Sequence, residues 1–584
     1  MKGLSKKILT IINTDNIPLI IFFSSLFLLL SFAGTRLFLS DEGVILDQFY
    51  NLLQGSLSLK FAKISTAKGM FWLVGDDLYG KFSHSLLILS LPAYFIFRII
   101  DSFYGAHLIM LQLWAVSGGI IVYLIARIKK HGYAIVGGMI AYIILVSSNL
   151  FFFESINFPK WGEVLSIEFT NIIITSFSLV IIYYLFRDIF GNRIAIFASF
   201  FILLATPIPF YALTLKHHSL SVFLTLLSFY CFHKYHEKKD NKFIYLAYLS
   251  AGLCVWTRIF DGAALLISLL ITDLITSKRD IKYIRNIVII ILISLVPFFS
   301  FNYLIMGSPF SVIENTPELD KEVTLFAAKD FISFDESSIN PKQVELMNKL
   351  GYTWKTDFGS DWIKMFSGLS FLKLLNTFSL FLVSPFLITG IFSIISIMKK
   401  RLKFNYFEKF LLIFSISLIL LYSNYIMLIV THTPSVLENR YLLVFYIIML
   451  YFSLKIESIR ELLENNLKKI TILWGCILLI FLAYFIVQFP VRFLDIYYYA
   501  SLIVAAVLMF SLVISSLRKK DWHATASWNR IFLILIALSF SLSSMFILFY
   551  YWVVSMTYVA VSQNYPVIPI LGMILNWMYQ NIIL

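Results

Sequence analysis

From residue 17 to residue 39 the chain is an almost unbroken apolar run, and the same pattern returns along its whole length. A helix of about 20 residues, rising about 1.5 Å per residue, matches the hydrocarbon thickness of a bilayer. On that measure further spans fall near 107–127, 133–153, 168–187, 193–213, 219–234, 243–257, 259–276, 286–303, 378–398, 408–430, 440–455, 470–489, 497–516 and 530–553. The pattern predicts an all-α polytopic membrane protein with about 13–15 transmembrane helices. The run at 17–39 follows Lys2, Lys6 and Lys7. It is too long for a signal-peptide core and has no small-x-small cleavage site, so it is expected to be an uncleaved first span with the N-terminus in the cytoplasm.

Composition agrees with that class. Of 584 residues, 59% are hydrophobic and 14% charged, and the mean hydropathy is +0.84, beyond what a soluble core requires. The net charge of +14 is a matter of topology. With alternating spans, the cytoplasmic segments hold 29 Lys and Arg against 11 Asp and Glu, and the outer ones 18 against 22, as expected when cytoplasmic loops retain the basic excess. Clusters such as RIKKH (127–131) and KKRLK (399–403) therefore call for no nucleic-acid partner.

The stretch HSLLILSLPAYFIFRI (84–99) tests this count. As a full crossing it would reverse the charge agreement of every later loop, so it is expected to be a helix kinked at Pro92 and lying along the outer face. Two long outer loops result, about 40–106 and about 304–377, both carrying interfacial helices. Between Glu314 and Asp361 the second has ten acids and five lysines. All three cysteines, Cys231, Cys254 and Cys476, fall within spans and read as small core residues, so no disulfide framework or metal cluster is implied. No internal repeat is visible. Residues 1–455 are expected to form one integral module, with accessory helices in 456–584.

Ionisable residues gather at the outer ends of spans. Asp41 and Glu42 follow the first span. FFFESINFPKWGEVLSIEF (151–169) carries Glu154, Lys160, Glu163 and Glu168, TLKHHS (214–219) carries Lys216, His217 and His218, and VWTRIFDG (255–262) carries Arg258 and Asp261. A carboxylate costs little at the interface, so an ordinary interfacial loop accounts for any one of these. Taken together they can converge on one outer-face cleft. Carboxylates from two loops can accept a proton from a hydroxyl and orient it or hold a cation. Arg258 is either paired locally or placed for an anion, since its fork of donors matches phosphate oxygens. Two adjacent histidines point to different sides of a helix and do not together make a metal site.

These pieces resemble the GT-C superfamily of glycosyltransferases, in particular the branch with the dolichyl-phosphate-mannose protein mannosyltransferases and the lipid A aminoarabinose transferase. The matching stretches are SDEGVILDQFYNLLQG (40–55), YGKFSHSLL (79–87), the acid-bearing second loop, AGLCVWTRIF (251–260), FNYLIMGSPF (301–310), LFLVSPFLI (380–388) and NRYLL (439–443), in the family's order. The resemblance implies that Asp41 is the main catalytic carboxylate, with Glu42 binding or orienting the acceptor. Glu163 stands where the family usually has Asp. Lys81 matches the lysine that contacts the donor phosphate, although Phe82 and Ser83 replace the prolines that normally follow. Arg258 and Arg440 match positions suited to the lipid phosphate, and His84, Glu154 and His217 are additional candidates.

The activity so implied moves a hexose or pentose from a polyprenyl-phosphate donor to a hydroxyl of a protein, lipid or glycan acceptor, with inversion, on the extracytoplasmic face. A divalent cation is left open, and no other cofactor is expected. No P-loop or dinucleotide fingerprint occurs, in keeping with a donor that is not a nucleotide sugar. Two rivals remain. A lipid or solute transporter or flippase would place its ionisable groups at mid-membrane in repeated halves, and a non-catalytic glycosylation scaffold would lack turnover.

Overall fold

The computed structural model describes residues 16–35, 42–60, 71–74, 77–129, 132–152, 161–276, 281–310, 380–381, 383–399, 404–429, 441–488, 491–518, 526–549 and 566–578. Most of the stretch 304–377, expected to be an outer loop, therefore lies outside the described residues, as do Asp41, Glu154 and Arg440.

Helices dominate. In chain order they are α1 (Ile17–Ser31), α2 (Glu42–Leu53), α3 (Ser85–Tyr104), α4 (Ala106–Ile128), α5 (Ala134–Leu150), α6 (Glu163–Phe190), α7 (Asn192–Ala205), α8 (Ile208–Ala212), α9 (His218–Lys238), α10 (Asn241–Thr257), α11 (Ile259–Thr276) and α12 (Ile281–Met306). A 3₁₀ turn at Pro385–Leu387 leads into α13 (Ile388–Lys399). There follow α14 (Tyr406–Ile429), α15 (Leu443–Lys455), α16 (Glu457–Gln488), α17 (Val491–Arg518), α18 (Ala526–Phe549) and α19 (Pro569–Met578). Among the described residues, 6 helices are long and apolar enough to cross a membrane, and six shorter apolar helices accompany them. The all-α polytopic expectation is met, with one addition. Two short strands, β1 (Phe71–Val74) and β2 (Asp77–Gly80), pair antiparallel, Trp72 facing Tyr79 in the register.

The long helix α6 is the organising element, buried along most of its length and packed against α1, α3, α7 and α9. A second group is formed by α9, α10, α11 and α12, with α14 against α11. Close approach of α4 and α5 is set by glycine. A Cβ on Gly119 would stand 2.8 Å from the Gly138 carbonyl oxygen, and one on Gly138 would stand 2.8 Å from that of Gly119. Small residues let helix backbones touch in this way where hydrocarbon gives no hydrophobic drive to pack.

Several boundaries differ from the hydropathy reading for identifiable reasons. The first span ends as a helix at Ser31, whose hydroxyl turns back to the Phe27 carbonyl and also receives the Trp114 indole N–H (2.8 Å). The expected span 193–213 breaks at Thr206, where the chain turns extended ahead of Pro207; the Thr206 hydroxyl is tied to the Ile202 carbonyl and accepts from Ile208 N. Proline cannot supply the N–H that would carry the helix through. Helix α3 contains Pro92 within 20 continuous residues, and its length and hydropathy fit a crossing as well as an outer-face helix. Gly105, at φ 85, makes the sharp junction to α4.

The C-terminal part of the chain is woven into the rest. Helix α18 packs on α7 and on the 3₁₀ turn, where the Ser539 hydroxyl accepts from Phe386 N (2.7 Å). The segment before α19 returns to the end of α1: Val567 N donates to the Ala33 carbonyl (2.9 Å), Gly34 and Pro566 form a β-bridge, and Asn149 Oδ1 accepts from Ile570 N.

Candidate functional site

Polar groups at one end of the helices form a continuous cluster. It begins at Glu42, the first residue of α2. Its carboxylate is fully buried, and Oε1 accepts from the backbone N–H of Leu215 (3.3 Å). The loop so held, residues 213–217, is also gripped from α6: Asn171 Nδ2 donates to the carbonyls of Thr214 (2.8 Å) and Lys216 (2.9 Å). Glu42 thus fixes the loop bearing Lys216 and His217 against the helix that carries the acid. One turn before Asn171, Glu168 Oε2 accepts from Gly34 N (3.2 Å), anchoring the chain just before the segment that leads to Asp41.

The connector between β2 and α3 supplies Lys81, Phe82, Ser83 and His84. Gln48, buried on α2, donates to the carbonyls of Gly80 (3.3 Å) and Phe82 (2.9 Å). The Ser83 hydroxyl donates to the Trp256 carbonyl (2.6 Å), two residues before Arg258. The Lys216 ammonium lies over the Phe82 ring at 5.5 Å, with the His217 ring 6.2 Å from that of Phe82. Lys81 itself is half-buried.

Arg258 closes the cluster. It sits in the extended joint between α10 and α11, 3.2 Å from Asp261, and donates to Tyr422 Oη (2.8 Å) and to His218 Nδ1 (2.8 Å). Because a guanidinium only donates, His218 Nδ1 must accept, leaving that ring neutral with its proton on Nε2. Asp261 accepts from Tyr422 Oη (2.7 Å) and Ser221 Oγ (2.5 Å), and the guanidinium stacks over Tyr441 at 5.3 Å. Of the two sequence readings for Arg258, the local pair is therefore present, and the pair holds the cation in one orientation.

Burial makes the histidines poor bases. His84, stacked on Phe301 at 5.2 Å, has its pKa pushed down to about 4 by desolvation. His217 is pushed down to about 3, by desolvation first and then by the charges of Arg258 and Lys216. Both rings are neutral at physiological pH, so the positive charge of the cluster resides on its lysines and arginine.

Of the residues expected from sequence, Glu42, Lys81, His84, His217 and Arg258 are linked through these contacts. Glu163, the first residue of α6, is buried and lies beside Tyr94 of α3. The linking residues Gln48, Asn171, Ser221 and Tyr422 escaped sequence reasoning. Each is an uncharged polar side chain inside an apolar or mixed stretch, and its only signal is its burial. Among the described residues, the grouping of three metal-type ligands is Asp188, His233 and Glu237, at the far ends of α6 and α9. There the Lys234 ammonium already lies 2.7 Å from Asp188 and 2.6 Å from Glu237, an ion-pair network that needs no metal.

The cations Lys216 and Arg258 and the buried acids Glu42, Glu168 and Asp261 thus gather at one end of the helices of an integral membrane protein. Residues 139–302, from α5 to α12, match the family model described as dolichyl-phosphate-mannose-protein mannosyltransferase. The match includes Glu163, His217 and Arg258 and supports a membrane glycosyltransferase of GT-C type. No curated protein and no solved structure matches the chain.

Proposed function

We propose that the protein transfers a sugar, a hexose or pentose, from a polyprenyl-phosphate donor to an acceptor hydroxyl, with inversion, at the extracytoplasmic face, its N-terminus lying in the cytoplasm. The observation that carries this reading is the single contact network joining Glu42, the Lys81 connector, the 213–217 loop and Arg258. Residues 1–455 form the catalytic module in this reading, and 456–584 supply accessory helices.

Chemistry dictates the arrangement. A polyprenyl chain cannot leave the bilayer, so its phosphosugar must be met at the interface. As the glycosidic bond breaks, negative charge grows on the departing phosphate, and fixed cations then stabilise the transition state more than the ground state. Lys81 and Arg258 are the cations assigned to that phosphate, with Arg440 added from the resemblance. Asp261, His218 and Tyr422 orient the Arg258 fork beforehand, so that little reorganisation is needed as charge develops. Asp41 is assigned as the base that removes the acceptor proton from the opposite face. Glu42, bound to Leu215 N, orients the acceptor side of the cleft, and Glu163 is the second-loop acid. A divalent cation held by these acids would add charge stabilisation.

Mass spectrometry of glycans and lipids from cells with and without the protein tests this reading. One class of sugar-bearing product should disappear while its sugar-charged polyprenyl phosphate accumulates. Identical profiles would remove the enzymatic reading and leave a scaffold or transporter.

A further inference from the structure

We infer that Gln48 is a positioning residue that sets where Lys81 presents its ammonium. The inference rests on the reading of Lys81 as a contact to the donor phosphate, and it gives that contact a mechanical origin in the acid-bearing helix.

Residues 81–84 have no regular structure between β2 and α3. A free connector of this kind leaves each residue backbone entropy to lose on ordering, and a lysine adds a flexible four-carbon stem. Yet the Gln48 amide nitrogen donates here to two carbonyls, the one before Lys81 and the one after it (Gly80, 3.3 Å; Phe82, 2.9 Å). An amide nitrogen has two hydrogens and no more, so the clamp is complete on its donor side. It also turns two carbonyl oxygens toward Gln48, so that their negative ends are neutralised in the protein rather than left to repel an anion beside Lys81.

Two further observations separate this from ordinary packing. Gln48 Oε1 is buried with no hydrogen-bond partner among the described residues. An unsatisfied buried acceptor costs stability, so the amide is a poor choice for the fold alone. Gly80 is fitted to the clamp as well: a Cβ there would stand 2.6 Å from Gln48 Cδ, so any larger residue pushes the amide away. The clamp also ties Lys81 to the other cations, because Phe82 lies under Lys216 and Ser83 is bonded to Trp256.

The test uses the full-length chain in nanodiscs and two probes of equal chain length, a polyprenyl monophosphate and the neutral polyprenol. The readout is the ratio of their Kd values, which isolates the contribution of the phosphate. Wild type should prefer the monophosphate and Lys81→Met should lose that preference. Gln48→Leu should reduce it about tenfold with polyprenol affinity unchanged. Gly80→Ala should reproduce the effect, and the double variant Q48L/K81M should be no weaker than Lys81→Met alone, since the two residues act through one contact. If Lys81→Met loses the preference while Gln48→Leu and Gly80→Ala keep it, the positioning role is wrong and the reading of Lys81 stands. Equal loss toward both probes in Gln48→Leu overturns it too, by showing a merely structural role. Wild type with no preference, or Lys81→Met with the preference intact, removes the reading of Lys81 and the inference together.

Discussion

Replacing Asp261 by Asn leaves the shape of the Arg258 pocket almost unchanged and removes its counter-charge. The pair is 3.2 Å apart, with side chains 9% and 7% exposed. At an effective dielectric of about 20, charges at that distance attract by about 5 kcal/mol, and breaking a buried pair by removing one partner typically costs about 3–5 kcal/mol because the other charge stays buried. The hydroxyls of Tyr422 and Ser221 now donate to opposite oxygens of one carboxylate, and an amide can serve only one of them as well. Asp261→Asn is therefore expected to destabilise the protein by about 3–5 kcal/mol, read by tryptophan fluorescence during unfolding in mixed micelles of graded SDS content. The decisive comparison is the double variant R258M/D261L, which discards both charges. It should unfold closer to wild type than Asp261→Asn does, while losing affinity for polyprenyl phosphate. A single variant within about 1 kcal/mol of wild type, or a double variant as unstable as the single one, would refute the description of this pair.

Because the pKa of His84 is lowered from 6.5 to about 4, its neutral form is the folded one. Stability should hold above pH 6.5 and fall as pH drops from 6.5 toward 4, by about 2 kcal/mol between pH 7.5 and 5. His84→Phe, which keeps a ring against Phe301, should flatten that dependence in the same unfolding assay, and an unchanged slope would count against the assignment. Gly119→Val places carbon against the Gly138 carbonyl and should cost about 1–3 kcal/mol. Gly137→Ala, whose Cβ would have its nearest neighbour at 3.7 Å, is the tolerated control, and equal melting of the two variants would contradict the close α4–α5 contact. Ser56→Cys, in a background where the exposed Cys476 is replaced by Ser, should react with an impermeant maleimide in intact cells. Labelling only after lysis would invert the topology.

Legibility from sequence followed the range of the forces involved. Long apolar helices were plain: the reading 259–276 coincides with α11, and 107–127 differs from α4 (Ala106–Ile128) by a residue at each end. The match of an apolar helix to the hydrocarbon thickness sets such elements, and each is local in sequence. The pairing of β1 with β2 is not legible because two four-residue strands carry little periodicity, and the Gln48 contact to the Gly80 carbonyl comes from another element, α2. The charged members of the cluster are visible because a charge at a span end stands out against an apolar background. Their partners did not stand out. Tyr422 lies 161 residues from Asp261, and a tyrosine or serine inside an apolar run looks like any other until the fold brings it to a carboxylate. For Glu42 the sequence shows the charge but not the contact of one of its oxygens with Leu215 N, a backbone contact for which no side-chain motif exists.

The central claim is that a carboxylate at the outer end of the first span works with the Lys81 and Arg258 cations to move a sugar off a polyprenyl phosphate. The measurement that tests it most directly is single-turnover transfer from sugar-charged polyprenyl phosphate by purified wild type and Asp41→Asn, with unfolding midpoints as the control. The amide can still hydrogen-bond but cannot take the acceptor's proton, so the account predicts transfer by wild type and loss of at least about a hundredfold in Asp41→Asn at equal stability. Transfer by Asp41→Asn at the wild-type rate would contradict it.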